Sequence, residues 1–188
     1  MAGKETEAAL REFQAVKGIP VTGKADAPTL AELFPTGEDQ AQSPVVVPAN
    51  WMPTAAVQRI ITHWTAGSHK ATPFDKSHYH ILIEGDGTVV RGTPTIDLNQ
   101  SPVRGGYAAH TLNCNSGSIG VSLCCMAGAL ESPFNAGQAP MTKAQWDKLP
   151  YVLATLCERY NIPVTTKTVL SHAEVEKTLG IAQRGKWD

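Results

Sequence analysis

The sequence predicts an α/β protein: a mixed β-sheet flanked by helices, preceded by a small N-terminal helical segment. Three observations carry that expectation. β-Branched runs, VQRIITH at 57–63 and SIGVSLCC at 118–125, alternate with a stretch of helical periodicity, the pattern of helices layered on a sheet. A hairpin signal, HYHILIE at 78–84 followed by Gly85-Asp86-Gly87 and Thr88-Val89-Val90, adds an antiparallel pair and makes the sheet mixed. A stretch with three prolines and no periodicity, PTGEDQAQSPVVVPAN at 35–50, sets two short helices apart from the rest.

Taken in order, Ala8, Leu10, Phe13 and Val16 recur at roughly helical spacing over residues 5–17, and Gly18-Ile19-Pro20 stops that helix. A second short helix starts near Asp26, whose carboxylate can cap it, with Pro28 in its first turn and Leu30, Leu33 and Phe34 as its apolar side. Two helices in 34 residues bury little apolar surface by themselves. The chain therefore divides into 1–34, a linker at 35–50 and a body at 51–188. Within the body, the strands and hairpin give way to a long helix opening at Met141-Thr142, where Trp146, Leu149, Leu153, Leu156, Cys157 and Tyr160 recur at steps of three and four. Pro150 inside it removes one backbone hydrogen bond and favours a bend. Asn161-Ile162-Pro163 ends this helix, and TKTVLS at 166–171 makes the last strand.

Composition excludes several classes of function. With 188 residues, 42% hydrophobic, the chain can bury roughly 70% of the surface its unfolded form exposes, which rules against disorder. Sixteen Lys+Arg against 17 Asp+Glu give a formal charge of -1, and no segment gathers five or six like charges. Nucleic acid is therefore not an expected partner, since its usual electrostatic footprint is missing. Val121 to Leu130 is the longest largely apolar run, about half of the ~20 residues that cross a bilayer, so no integral membrane association is expected. The start, Met-Ala-Gly-Lys-Glu-Thr-Glu, turns acidic and is followed by no apolar stretch of the signal-peptide kind. Cysteines at 114, 124, 125 and 157 form no CxxC pair and read as small buried hydrophobes, with a thiol nucleophile as the minor alternative.

Six histidines are available for chemistry. Two of them end expected strands, His63 in ITHWTAG and His172 in VLSHAEV, where backbone already fixed in a sheet holds a side chain rigidly. Position alone fits a packed or solvated histidine as well as a ligand. Asp188, two residues after Lys186 in RGKWD, completes a His/His/carboxylate set, the donors a catalytic zinc uses while keeping a fourth position for water. His69 and His78 read as surface residues, His80 as a core residue or one that backs the site residues, and Asp86 and Gly87 as turn formers.

In order and approximate spacing, THWTAG, YHILIEGDGTV, HTLNCNSGSIGVSL and SHAEV with a downstream GKWD resemble the motifs of the type 2 zinc amidases. These are the N-acetylmuramoyl-L-alanine amidases that include phage lysozyme-like amidases and share a fold with peptidoglycan-recognition proteins. The resemblance covers residues 51–188. It implies that Zn2+ is held by His63, His172 and Asp188, the last where some members have a cysteine. It further implies that Tyr79 faces the attacking water, that Lys186 matches a lysine two before the third ligand, and that His110 and Asn115 line the substrate groove. The substrate so implied is peptidoglycan, cut between N-acetylmuramic acid and the L-alanine of the stem peptide. Zinc suits this chemistry because amide hydrolysis needs both a stronger nucleophile than water and relief for the oxyanion that forms.

Two features depart from the family pattern. The run from His172 to Lys186 is longer than usual, so EKTLGIAQR is expected to form an extra loop excursion; should Asp188 not be the third ligand, Glu174 and Glu176 are the next carboxylates to consider. Some relatives also carry a catalytic glutamate where this chain has Ser122, which shifts the water-activating role toward Tyr79. At the N-terminus, ALREFQAVKGIPVTGKADAPTLAELF resembles the second half of a small helical peptidoglycan-binding module. Together with the expected lack of a signal peptide, that resemblance implies a phage or prophage endolysin, made in the cytoplasm and reaching the wall after pore-mediated release. A cytosolic muropeptide-recycling amidase and a non-catalytic peptidoglycan-recognition protein are the alternatives, with a cysteine hydrolase third.

Overall fold

The computed structural model describes residues 4–33 and 46–188, and the chain divides into two compact units, Met1–Pro44 and Val45–Asp188. Most of the expected linker, and Phe34 of the expected second helix, lie outside the described residues. The last part of that linker does not behave as one. Val47 is buried, and Val46 and Val47 pack into the core of the second unit.

The first unit holds α1 (Lys4–Lys17) and α2 (Ala27–Leu33). Asp26 caps α2 as the sequence suggests, accepting hydrogen bonds from the Thr29 N–H at 3.3 Å and the Thr29 hydroxyl at 2.6 Å. Its centre is polar. Gln14 is fully buried, its amide donating to the Lys24 carbonyl at 2.9 Å and Thr29 Oγ1 at 2.7 Å and accepting from the Gly23 N–H at 2.8 Å. Val16, expected on the apolar stripe of α1, is 80% exposed, because the turn after the helix is organised around Gln14 rather than around that valine.

In the second unit the strands are β1 (Arg59–Trp64), β2 (Ile81–Ile83), β3 (Val89–Arg91), β4 (Ser118–Leu123) and β5 (Val169–Ser171). The helices are α3 (Pro73–His78), α4 (Lys143–Tyr160) and α5 (His172–Leu179). They build a five-stranded mixed sheet in the order β3-β2-β4-β1-β5, with β2 and β3 antiparallel and the other pairs parallel. β4 lies at the centre and is buried throughout, which explains its unbroken apolar and small-residue sequence. Strand alternation splits the core in two. Ile60, Ile119 and Val121 pack with Val152, Leu156 and Cys157 of α4, whereas Ile61 and Leu170 pack with Cys114 and Val175 of α5.

Local capping chemistry moved several boundaries. Thr72 and Asp75 form a capping box with Pro73 at the first helical position, so residues 73–78 are helical and β2 begins only at Ile81. Tyr79 is thereby the residue that ends α3 rather than part of a strand. Ser171 and Glu174 form a second capping box at the very end of β5, and the first part of the expected loop excursion, residues 176–179, belongs to the helix α5. Trp146, expected on the buried face of α4, is 63% exposed. Gln145 takes the core position instead, because its amide donates to two buried backbone carbonyls where β2 and β4 end, Ile83 at 2.9 Å and Cys124 at 2.8 Å. α4 runs unbroken through the exposed Pro150. No helix among the described residues is long and apolar enough to cross a membrane.

All four cysteines are free and buried. Burial pushes the Cys124 and Cys125 thiols up to about 12, which keeps them protonated and without thiolate character at neutral pH.

A buried histidine outside the candidate site fixes a pH dependence. His80 Nδ1 accepts the Gly120 N–H at 2.9 Å, so Nε2 carries the proton and donates to Asn99 Oδ1 at 3.0 Å. Burial pulls its pKa down to about 4. An unfolded histidine titrates near 6.5, so between about 6.5 and 4 the unfolded state binds more protons and the second unit loses stability as pH falls, by up to about 3 kcal/mol from this residue. Trp51, Trp64, Trp146 and Trp187 all lie in that unit, so tryptophan fluorescence during urea unfolding of the metal-free chain reports it alone. The urea midpoint is expected to drop from pH 7 to pH 4.5, with a shallower slope in His80→Gln; equal slopes in the two proteins would contradict the assignment.

Candidate metal and catalytic site

Two register pairs assemble the site. β1 and β5 pair in parallel with Ile61 opposite Leu170 and Thr62 opposite Ser171, and continuing that register by one residue sets His63 beside His172 on the same face of the sheet. On the other side of β1, His63 pairs with Ser122 of β4. His172 is also the first residue of α5, so its backbone is fixed from both sides.

Asp188 completes the cluster. Its backbone carbonyl accepts the Ala173 N–H at 2.5 Å, one of the free donors at the start of α5, and Trp187 stacks edge-on against Trp64 with ring centroids 4.9 Å apart. These two contacts carry the Asp188 carboxylate back to β1. His63 Nδ1 lies 3.1 Å from His172 Nδ1 and 3.2 Å from Asp188 Oδ2, and His172 Nδ1 lies 3.3 Å from that same oxygen. The result is a nearly equilateral triangle of donor atoms from two buried imidazoles and a half-buried carboxylate. Ligand atoms of a tetrahedral ion with bonds of about 2.0–2.1 Å stand about 3.3 Å apart, so the spacing and the N/N/O chemistry fit zinc. Glu174 and Glu176 are engaged elsewhere: Glu174 caps the N-terminus of α5, and Glu176 accepts the Gln183 N–H at 2.8 Å.

The electrostatics suit a metal. Burial acts against ionisation of Asp188, but its close contacts with the His172 and His63 rings hold its carboxyl well below the usual carboxylate range. Burial likewise pulls the His63 pKa down, against the opposing pull of Asp188, and leaves a neutral imidazole at pH 7. A neutral ring at His63 and an ionised carboxylate at Asp188 are protonation states that ligands require.

His110 and Asn115 sit where they brace this cluster and also border the groove. The His110 ring lies beneath His63 with centroids 5.2 Å apart, its Nδ1 3.3 Å from His63 Nε2. Burial and then the neighbouring His63 and His80 rings keep the His110 pKa well below its ordinary value. Asn115 Oδ1 accepts the His110 N–H at 3.0 Å and the Thr111 N–H at 2.8 Å, so it shapes the loop on which His110 rides. Asn99, which sequence reasoning did not single out, ties that loop to the rest by donating to the Ala108 carbonyl at 2.9 Å and the Asn115 carbonyl at 3.2 Å.

Tyr79 and Lys186 flank the triangle along a groove of about 900 Å3 that also exposes Phe74, Leu112 and Arg184. The Tyr79 ring centroid is 5.1 Å from that of His63. Its backbone is held by a bond from its N–H to the Asp75 carbonyl at 3.2 Å and by Gly92, where any Cβ would collide with the Tyr79 carbonyl oxygen. Burial first, and then the Asp188 charge, push the Tyr79 hydroxyl up to about 12. Ser122 Oγ, on the site face of β4, is buried and unpartnered. Of the remaining histidines, His69 and His78 are partly exposed residues at the surface, as expected, with His69 Nε2 2.8 Å from the Pro140 carbonyl and His78 on α3.

Fold and triangle define a class: α/β domains whose strand ends hold a metal-competent His/His/Asp set at the side of an open groove. A family model of N-acetylmuramoyl-L-alanine amidases matches residues 53–188, and the chain belongs to that family. It is a peptidoglycan amidase. A second model, described as a peptidoglycan binding domain, matches residues 1–33. No curated protein sequence matches the chain. Similar solved structures include the N-acetylmuramoyl-L-alanine amidase LysC from Clostridium intestinale URNW, 20% identical over 66% of this chain and 75% of that one, with a TM-score of 0.43. The Ph2119 endolysin from the Thermus scotoductus MAT2119 bacteriophage Ph2119 is 17% identical over 84% and 90%, with a TM-score of 0.43. The amidase AmiD from E. coli, solved with an anhydro-N-acetylmuramic acid peptide, is 19% identical over 74% and 52%, with a TM-score of 0.46.

The packing of the His110 ring on β4 gives a direct test. A Cβ at Gly120 would lie 2.6 Å from that ring, so Gly120→Ala must displace the imidazole that supports His63. Overpacking of this kind costs about 1–3 kcal/mol. Thermal unfolding should show Gly120→Ala clearly less stable than the parent, and an unchanged Tm would mean that His110 does not occupy this position.

Proposed function

We propose that the chain hydrolyses the amide bond between N-acetylmuramic acid and the L-alanine of the peptidoglycan stem peptide, using a zinc ion held by His63, His172 and Asp188, and that it serves as a phage or prophage endolysin. The observation that carries the metal reading is the triangle of Nδ1, Nδ1 and Oδ2 atoms with edges of 3.1, 3.2 and 3.3 Å. The endolysin reading is supported by the presence, in one chain, of matches to an amidase family and to a peptidoglycan binding domain.

When bound, zinc lowers the pKa of water to about 7 and polarises the scissile carbonyl. The rest falls to side chains. Tyr79, with its hydroxyl pushed up to about 12, keeps its proton at neutral pH and serves as a hydrogen-bond donor to the developing oxyanion rather than as a base. Lys186 adds a cation on the same groove. His110 and Asn115 hold His63 and the groove loop in place. Ser122 is too short to reach into the groove as a longer acid would, and it supplies no proton acceptor of comparable strength.

One zinc per chain is expected by elemental analysis, and His63→Ala or His172→Ala should abolish both metal and release of L-alanine N-termini from purified walls. Either variant retaining full zinc and full rate would refute the ligand assignment. Tyr79→Phe and Lys186→Ala should instead keep their zinc and lose about 100-fold or more in kcat, the signature of groups acting on the transition state.

The first unit is read as a wall anchor. Tethering raises the local concentration of scissile bonds without altering the site. A chain beginning at Val45, which keeps the buried Val47, should hydrolyse small soluble muropeptides at the parent rate and clear intact walls several-fold more slowly. Equal clearance by the two proteins would remove the targeting role, and inactivity on walls alongside normal turnover of soluble fragments would favour muropeptide recycling.

A further inference from the structure

The segment after α5 carries a buried amide whose orientation is dictated by its surroundings. Gln183 is 2% exposed. Its Nε2 donates to the Leu112 carbonyl at 2.9 Å and to the Ile181 carbonyl at 3.1 Å. Carbonyls only accept, so both amide protons are used there and the other end of the side chain must be Oε1. That oxygen lies 2.9 Å from His172 Nε2. Since Oε1 has no proton to give, His172 Nε2 must be the N–H that donates to it. A neutral imidazole carries a single N–H, which leaves Nδ1 as a lone pair, and Nδ1 is the atom 3.1 Å from His63 Nδ1 and 3.3 Å from Asp188 Oδ2.

The amide is itself held in register with the histidine it touches. The Gln183 N–H donates to Glu176 Oε2 at 2.8 Å, and Glu176 lies one turn along the helix that His172 begins. A closed circuit therefore runs from His172 through α5 to Glu176, to Gln183 and back to the imidazole. No sequence pattern marks this glutamine, which sits in the stretch that made the His172 to Lys186 run unusually long.

We propose that Gln183 is a positioning residue for the metal centre: it selects the Nε2–H tautomer of His172 and locks the ring rotation, so that Nδ1 presents its lone pair to the ion. This rests on the zinc reading above. Partners that orient a ligand imidazole through its second nitrogen typically contribute roughly 10–100-fold to metal affinity. Gln183 also bridges His172 to Leu112 on the groove wall, so one side chain joins the ligand to the loop beside the substrate.

The test is zinc affinity of the full chain, measured by competition with a chromogenic chelator, together with thermal unfolding of each metal-free variant. Gln183→Met, close in size but unable to accept a hydrogen bond, should bind zinc roughly 10–100-fold more weakly than the parent. Gln183→Glu keeps the acceptor while losing both donors to the Leu112 and Ile181 carbonyls, and should bind zinc more tightly than Gln183→Met. A purely structural role predicts the reverse, with the glutamate no better or worse, and that result overturns the inference. A measurement without any substitution stands beside these: in the zinc-loaded parent, nitrogen-15 spectra should show the retained His172 proton on Nε2, and a proton on Nδ1 with the metal on Nε2 overturns it. Equal zinc affinity in parent and Gln183→Met overturns this inference alone, whereas a parent that takes up no zinc overturns the zinc reading and this inference together.

Discussion

Strands β1 and β5 run parallel with Ile61 opposite Leu170, and the whole site follows from carrying that pairing two residues further, to His63 and His172. The apolar cluster of Ile61, Leu170, Cys114 and Val175 sits directly behind the histidines on the same face of the sheet. A slip of one residue would turn Leu170 out of that cluster and His172 away from His63 at the same time. Burial of a few aliphatic side chains thus enforces the spacing of two nitrogen atoms to within the needs of a metal ion. The histidines contribute little to holding the sheet together, and the sheet contributes nearly everything to holding the histidines.

Bringing three polar groups into a place where water is scarce has a cost, and their mutual arrangement offsets it. A lone buried carboxylate would take up a proton, but Asp188 is flanked by two imidazole nitrogens and remains ionised. Behind it stands a connected polar layer. The His110 ring supports His63, Gly120 leaves room for that ring, and His80 links the Gly120 N–H to Asn99, which in turn holds both ends of the groove loop. Such networks are worth having only when every member finds a partner, because the low dielectric that strengthens each bond also raises the cost of a missing one. Ser122 Oγ is the exception within the site, buried and unpartnered beside His63.

The C-terminal segment is held by three different kinds of contact. Trp187 against Trp64 is apolar and aromatic, the Asp188 carbonyl satisfies a free N–H at the start of α5, and Gln183 fills a buried polar slot. None of these requires regular secondary structure in the segment itself. This is why a segment with no helix or strand of its own can still carry a ligand, and why its unusual length does not loosen Asp188.

Much of the fold was legible because its signals are local. The alternating β-branched runs, the Gly85-Asp86-Gly87 turn, the αL residue Asn161 at the end of α4 and the Asp26 cap each depend on residues within a few positions of one another. The His63, His172 and Asp188 set could be picked out as well, since strand ends and the family motifs mark those positions. Other features were decided by contacts far apart in the chain. Trp146 faces outward because Gln145 finds two distant carbonyls, and Val47 leaves its proline-rich surroundings for the core of the second unit. Tyr79 left the expected strand for a local reason, the capping box at Thr72, which competed with a β-like pattern and won. The family motif marked His110 as a groove residue but not as the support beneath His63, and Asn99 across the groove loop and Gln183 against His172 have no sequence signature at all. Sequence by itself determined which residues could bind, because donor chemistry belongs to the side chain; only the tertiary structure decided which nitrogen of each histidine faces inward and what holds it there, because those choices depend on hydrogen-bond partners that the fold brings from tens of residues away.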